Sequence, residues 1–304
     1  MEIFGKMSGS LNRLTTEQRY LESEGIDRLP TEGILAVMNA ADAQIAGAVA
    51  REIPRIASAV DAIVAAIQAG GRLFYLGAGT SGRLGVLDAS ECPPTFQVPP
   101  DMVTGIIAGG PAALTKATEA TEDDPAAGAR DLVSAGFGKK DVLVGIAASG
   151  RTPYVLGAVA KAKEIGAVTC GISCNPDSPL SRAVDFPIEP VAGPEVIAGS
   201  TRMRAGTATK MVLNMVSTAA MIRLGYVYGN LMVNVQPTNG KLEDRARRII
   251  QEAAGVSYER AAELLDQAGR SVRTAIVMEK KKIDRAEAER MLAAAGGRIS
   301  EALK

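Results

Sequence analysis

The side chains best suited to chemistry lie in two glycine-rich turns and at a glutamate beyond the first of them. Thr80 and Ser81 stand in the turn of LGAGTSGRLGVLDASECPP, and Glu91 follows on the same segment. Ser149 stands in a similar turn within ASGRTPYV. Hydroxyls and free backbone N–H groups at helix starts bind phosphate, and a carboxylate can transfer protons. These residue types favour acid–base chemistry on a small phosphorylated molecule.

Composition removes several kinds of chemistry. The 304 residues include no histidine, which excludes His-dependent triads and removes the commonest transition-metal ligand. Lys+Arg and Asp+Glu both total 34, and this balance argues against binding of nucleic acid or an anionic membrane. The three cysteines, Cys92, Cys170 and Cys174, are expected to be buried thiols in a reducing compartment. Any proton transfer near pH 7 must therefore use carboxylates, Lys, Tyr or Cys.

The beginning of the chain and its apolar stretches bear on location. MEIFGKMSGS lacks the apolar region of a signal peptide. No run of about 20 apolar residues is free of charge or glycine, so no membrane span is predicted. We expect a cytoplasmic protein.

Short apolar runs alternate with helical stretches over the first 240 residues. Continuous apolar strands alternating with helices predict an α/β fold, a doubly wound parallel sheet covered on both faces. The predicted strands are 73–76, 102–108, 142–147, 168–173 and 186–188, and the predicted helices include 82–90, 111–134 (broken near Pro125), 153–165 and 202–224.

The composition changes after residue 240. Four short segments rich in Ala, Arg and Glu follow, separated by glycines at 255 and 269. They predict a small helical domain whose charged faces are solvated. We expect two domains, 1–240 with an N-terminal helical arm and 241–304.

The first turn also matches the dinucleotide fingerprint G-x-G-x-x-G at Gly77, Gly79 and Gly82. That fingerprint needs an acidic residue at the end of the next strand, which here ends in AGG at 108–110. Two hydroxyls within the turn suit a phosphate monoester better than a pyrophosphate. A phosphate monoester is therefore the preferred ligand class.

The S-G-R triplet of the first turn recurs after the third strand, and a third hydroxyl cluster, GSTRMRAGTATK, occupies 199–210. Ligands of open α/β sheets bind at the carboxyl ends of the strands, where both S-G-R turns are expected. Ordinary turns and helix N-caps are the alternative explanations. The predicted substrate-binding residues are Gly79, Thr80, Ser81, Ser149, Gly150, Arg151, Thr152, Ser200 and Thr201, with Arg83, Arg151 and Arg202 as charge partners.

These stretches, with IAGGPAAL, EATEDD, GISCNPDSPL and YGNLMVNVQPTNGKL, resemble the N-acetylmuramic acid 6-phosphate etherase family. The resemblance covers about Thr16 to Lys304. It implies a sugar-isomerase (SIS) domain, a three-helix C-terminal domain of ubiquitin-associated type and a homodimer. One departure is that Thr16-Glu17 is followed by Gln18-Arg19-Tyr20, where the family has Thr-Glu-x-x-Asn.

The resemblance implies removal of D-lactate from the C3 ether of N-acetylmuramic acid 6-phosphate, during cell-wall recycling, and no cofactor. The family's two catalytic glutamates match Glu91 and Glu122. Glu91 is expected just after a helix, braced by Cys-Pro-Pro, as the acid that protonates lactate. Glu122 would handle the C2 proton or the water, with Asp123 as its substitute. On sequence alone, Glu91 could instead be a surface residue and the acidic run around Glu122 a solvated one.

Two other functions remain open. A phosphosugar sensor related to the glucokinase regulatory protein would share the fold without catalysis, but that protein has two SIS modules. An aldose–ketose isomerase would lack the ASECPP segment. Met211, Val212, Met215 and Val216 lie on a predicted helix and suggest an apolar face for a second subunit.

Overall fold

The computed structural model of the chain describes residues 14–116 and 121–304. The first ten residues, where no signal peptide is expected, and residues 117–120 of the predicted helix 111–134 lie outside the described residues. The chain divides into two compact units. One comprises Met1–Ser90 with Asp101–Val216, and the other comprises Glu91–Pro100 with Ser217–Lys304.

A five-stranded parallel sheet forms the centre of the first unit, as the sequence predicts. All residues of the first and third strands are buried. Helices cover both faces of a parallel sheet, so apolar and polar residues do not alternate along its strands. The strands are β1 (Leu73–Gly77), β2 (Val103–Ile107), β3 (Val142–Ile146), β4 (Val168–Ile172) and β5 (Phe186–Ile188).

The strand order β2-β1-β3-β4-β5 fixes where a ligand can bind. Gly77 at the end of β1 pairs with Ile107 of β2 and with Ile146 of β3, so these three strands end level. The order reverses between β1 and β3, and the turns that follow them therefore lie side by side. Such a reversal opens a crevice at the carboxyl edge of the sheet.

Eight α-helices and four 3-10 helices of the described residues precede residue 240. The predicted helix 153–165 is confirmed at its expected bounds. The helices are α1 (Thr31–Asp42), α2 (Ile45–Arg51), α3 (Ile53–Gln68), α4 (Gly79–Phe96), α5 (Pro125–Ser134), α6 (Pro153–Ile165), α7 (Pro179–Ala183) and α8 (Arg204–Leu224), and 3-10 helices cover Thr15–Glu17, Leu21–Ser23, Ile26–Arg28 and Pro111–Leu114.

Two helix predictions need correction. Glu91 lies inside α4 rather than after it, because the fixed φ of Pro93 and Pro94 is itself helical and the helix ends only at Phe96, before Gln97 with its φ of 54°. On α8, Val212 and Val216 are buried within the chain, so they do not form an exposed face.

One stretch, Thr31–Arg51, is long and apolar enough to cross a membrane by length and composition alone. It consists of α1 and α2, which are separated at Ala43 and Gln44, and Asp42 and Gly47 interrupt its apolar run. A single such stretch among residues 14–116 and 121–304 is weak support for a membrane span.

The second unit is helical after residue 240. Side chains of Asn239, Ser257, Ser271 and Asp284 cap four of its helices by accepting bonds from first-turn N–H groups. The helices are α9 (Gly240–Ala254), α10 (Tyr258–Gln267), α11 (Val272–Lys281), α12 (Arg285–Ala294) and α13 (Ile299–Ala302). The four predicted helical segments are thus α9–α12, while the boundary at 240 and the ubiquitin-associated type stay predictions.

Candidate functional site

A cavity of about 300 Å³ opens in the first unit beside the turns that follow β1 and β3. Hydroxyl groups, two carboxylates and one guanidinium border it. Its lining residues are Glu17, Ala78, Gly79, Thr80, Ser81, Arg83, Ala113, Glu122, Ala148, Ser149, Thr152, Gly199 and Thr201. A cavity of this size suits a monosaccharide phosphate rather than a dinucleotide.

The turn after β1 brings the start of α4 to the cavity. A Cβ atom on Gly82 would stand only 2.5 Å from the carbonyl oxygen of Gly77, so only glycine permits this close approach of helix and strand. Because α4 begins at Gly79, the first-turn N–H groups around Thr80 and Ser81 have no partner within the helix. This end of the helix favours an anion.

The turn after β3 depends on Gly150. Its φ is 67°, and its N–H donates to the Ala147 carbonyl oxygen at 2.8 Å. Ser149 accepts a hydrogen bond from the Arg151 backbone N–H at 3.2 Å. Thr152 occupies the N-cap position of α6, but its side chain makes no capping hydrogen bond to the helix. The second turn therefore presents hydroxyls beside another helix start.

The acidic run before α5 separates into different roles. Glu122 lines the cavity, and its backbone carbonyl accepts the Tyr154 N–H at 3.1 Å, which ties it to the first turn of α6. Asp124 caps α5 through bonds from Ala126 and Ala127, and the Ala127 amide is the main cause that lowers the pKa of Asp124. Asp123 is exposed and does not line the cavity. The fold thus turns Glu122 alone of these three toward the cavity.

Arg83 braces one wall of the cavity. Its Nε donates to the Leu114 carbonyl oxygen at 3.1 Å, and Nη2 donates to that of Lys116 at 3.3 Å. Both acceptors are backbone carbonyl oxygens, so neither bond neutralises the positive charge of the guanidinium. Arg83 therefore shapes the loop and contributes positive charge to the cavity wall.

The segment before α8 supplies Gly199 and Thr201 to the lining. It is anchored by Glu195, a fully buried residue whose carboxylate accepts the backbone N–H groups of Arg204 and Ala205 at 2.8 and 2.9 Å. Burial raises the pKa of Glu195, and these two amides oppose the increase. The anchor fixes the beginning of α8 beside the cavity.

The structure brings together most of the predicted site. Gly79, Thr80, Ser81, Ser149, Thr152, Thr201 and Glu122 line one cavity. Gly150, Arg151 and Ser200 adjoin lining residues without belonging to the lining, and Arg202 is exposed. Glu91 is an exposed residue of α4 that belongs to the second compact unit, and its part in the site stays a prediction.

One charged lining residue was not among the predicted site residues. Glu17 borders the cavity from the N-terminal segment. The only signal was the Thr16-Glu17 pair at which the family's pattern begins.

Within residues 14–116 and 121–304, no group of three or more Cys, Asp or Glu side chains is placed to hold a metal ion.

The chain matches two domain descriptions of the SIS class. Residues 55–163 match the N-terminal SIS domain of the glucokinase regulatory protein, and residues 117–219 match the SIS domain. A phosphoheptose isomerase structure from Francisella tularensis superposes with a TM-score of 0.46 and 19% identity, over 63% of this chain and 97% of that one.

Relatives of established name are much more similar. The N-acetylmuramic acid 6-phosphate etherase of Jannaschia sp. (strain CCS1) is 56% identical over 90% of this chain and 87% of its own length. That of Aliivibrio fischeri (strain MJ11) is 53% identical over 98% of this chain and 99% of its own. At this identity over nearly the full length, the chain belongs to the N-acetylmuramic acid 6-phosphate etherase family.

Proposed function

We propose that this protein is an N-acetylmuramic acid 6-phosphate etherase, a carbon–oxygen lyase that releases D-lactate and leaves N-acetylglucosamine 6-phosphate. The observation that carries the proposal is the 53% identity to an etherase over 98% of this chain and 99% of the relative. The cavity supports it independently, because its hydroxyls and helix starts suit a phosphate and Glu122 supplies a carboxylate beside them.

The phosphate is proposed to bind between the two S-G-R turns. Thr80, Ser81, Ser149 and Thr152 would donate hydroxyl hydrogen bonds, and the starts of α4 and α6 would add backbone N–H groups. Thr201, which also lines the cavity, would complete the shell. In this arrangement Gly79 and Gly150 shape the turns, while Arg151 and Ser200 support them from adjoining positions.

The reaction is proposed to proceed by elimination and addition of water. In the open-chain sugar, the C1 aldehyde acidifies the C2 proton, and its removal allows the C3 ether oxygen to leave as lactate. Water then adds at C3 and a proton returns to C2, so atoms and charges balance without a cofactor. Glu122 would remove the C2 proton or activate the water, and Glu91 would protonate the departing oxygen.

Assembly and location belong to the same proposal. Homodimers are the commonest assemblies of soluble proteins, and we propose one here that serves cell-wall recycling in the cytoplasm. The three cysteines are buried and none of them forms a disulfide, as a reducing compartment permits. Neither nucleic acid nor a membrane is proposed as a partner, because the formal charge is balanced.

The test is an assay of D-lactate released from N-acetylmuramic acid 6-phosphate. Glu122→Gln is expected to lower kcat by about 100- to 10,000-fold, the usual contribution of one acid–base group. Asp123→Asn is the matched control, because it removes the neighbouring charge outside the cavity, and it should retain near wild-type turnover. Glu91→Gln is expected to lose activity to a similar extent.

Isotopes then distinguish the chemical route. In water enriched in the heavy oxygen isotope, elimination and addition would place the label on C3 of the sugar and leave the lactate unlabelled. In deuterium oxide the product would carry deuterium at C2. A wild-type protein that binds the phosphosugar but releases no lactate would contradict the etherase and favour a phosphosugar sensor.

A further inference from the structure

Glu17 places a second carboxylate in the cavity, and neither the proposed phosphate shell nor the proposed acid–base pair uses it. Its side chain borders the cavity beside the segment that precedes α8, with Oε2 3.4 Å from the position that a Cβ atom on Gly199 would occupy. Within residues 14–116 and 121–304, this carboxylate forms no hydrogen bond and no ion pair. It is therefore available to a ligand.

The backbone around Glu17 is held in place on both sides. The preceding residue, Thr16, is buried and exchanges two hydrogen bonds with Asn175, at 3.3 Å to Oδ1 and 3.0 Å from Nδ2. Further along the chain, the ring of Tyr20 lies 5.1 Å from the buried Arg204 guanidinium. Ser23 donates to the Val196 carbonyl oxygen at 2.9 Å. These contacts fix the direction from which Glu17 enters the cavity.

Charge determines what Glu17 can bind. The proposed substrate carries a phosphate and a lactyl carboxylate, and a glutamate carboxylate repels both. The same substrate also carries neutral donors, namely its ring or chain hydroxyls and its acetamido N–H. An ionised carboxylate only accepts hydrogen bonds, and its bonds to neutral donors are stronger than those between neutral groups.

We propose that Glu17 is a further substrate-contacting residue, which accepts a hydrogen bond from a hydroxyl or amide N–H of the sugar. It thereby orients the neutral part of the sugar whose phosphate binds at the S-G-R turns. This inference rests on the proposed function for the identity of the sugar. The hydrogen bond itself does not depend on the etherase reaction, because it requires only that the cavity binds a phosphosugar.

The test compares two ligands by calorimetry with the full chain. N-acetylglucosamine 6-phosphate carries the sugar hydroxyls and the amide N–H, whereas inorganic phosphate has neither. Glu17→Ala is expected to weaken the sugar phosphate by about 10- to 100-fold, the usual loss for a hydrogen bond to a charged group. The affinity for inorganic phosphate should stay within about twofold or increase, because a repelling charge is removed.

Glu17→Gln keeps an acceptor oxygen without the charge, so it should restore part of the lost affinity. Glu22→Gln is the matched control, because this exposed glutamate lies on the same segment and outside the cavity. It should bind both ligands as the wild type does.

Three outcomes would overturn the inference. These are an unchanged affinity of Glu17→Ala for the sugar phosphate, an equal loss for both ligands, and a wild type that binds neither. Lactate release decides the etherase proposal separately. A wild type that binds both ligands but releases no lactate would refute the etherase and leave the Glu17 inference to be judged from the two affinities alone.

Discussion

Thr16 and Asn175 hold each other through two hydrogen bonds although 159 residues separate them in the chain. The Asn175 amide also donates to the Ala148 carbonyl oxygen at 2.9 Å, in the turn after β3. One buried side chain thus connects the N-terminal segment to the turn that carries Ser149. Buried amides with all partners satisfied stabilise a single arrangement of the elements that they connect.

Replacing Asn175 with alanine should destabilise the protein by about 1–3 kcal/mol, because the buried N–H and hydroxyl of Thr16 lose their partner and the Ala148 carbonyl oxygen keeps only the Cys174 N–H. Urea unfolding measures this loss. Asn39→Ala, on the exposed face of α1, is the control and should change the free energy of unfolding by less than about 0.5 kcal/mol. Equal stability of the wild type and Asn175→Ala would show that the contact contributes nothing.

Gly150 should be among the least replaceable residues of the second turn. Alanine there must adopt a φ near 67°, and its Cβ would overlap Ser178 at 2.3 Å. Strain and overlap together should cost about 2–5 kcal/mol and weaken the binding of a phosphosugar. Urea unfolding and calorimetry measure the two effects.

Gly70 provides the matched control for Gly150. It has a φ of 85° and nothing within 4 Å of an added Cβ, so Gly70→Ala carries backbone strain without overlap. Its cost should be about 1–2 kcal/mol with unchanged ligand affinity. If both alanine variants lost the same stability, the close approach of Gly150 to Ser178 would be unimportant.

The sheet could be predicted because its strands are short, continuous apolar runs that end in turn residues. Each run from 73–76 to 186–188 became a strand within two residues of its expected bounds. Helix α6 was equally predictable, since Pro153 suits a first helical turn and Gly166 ends the helix in the left-handed region. The end of α4 was not, because Pro93 and Pro94 indicate a break in sequence yet keep helical φ values here.

The site was predictable where local sequence determines local geometry. The S-G-R turns carry their own glycines and hydroxyls, and parallel topology places them together. Glu17 could not be found in this way, since its position depends on the contact between Thr16 and Asn175. The burial of Val212 and Val216 likewise depends on packing that helical spacing alone does not specify.

Cys170 should make the protein less stable in alkali. Burial raises the pKa of this β4 thiol to about 12, with Asp185 as a smaller cause. An unfolded thiol loses its proton at lower pH, so the unfolded state binds fewer protons above that point and stability falls as pH rises. With an unfolded pKa near 9.0, the loss reaches about 1.4 kcal/mol at about pH 10.

Alanine at position 170 removes this titration. The stability difference between the wild type and Cys170→Ala, measured by urea unfolding, should therefore shrink by about 1.4 kcal/mol between about pH 7.5 and about pH 10. Val144→Ala is the control, because Val144 pairs with Cys170 in the sheet, is equally buried and does not titrate. Its cost should be the same at both pH values. A Cys170→Ala cost that is also independent of pH would mean that the thiol ionises as readily in the folded protein as in the unfolded chain.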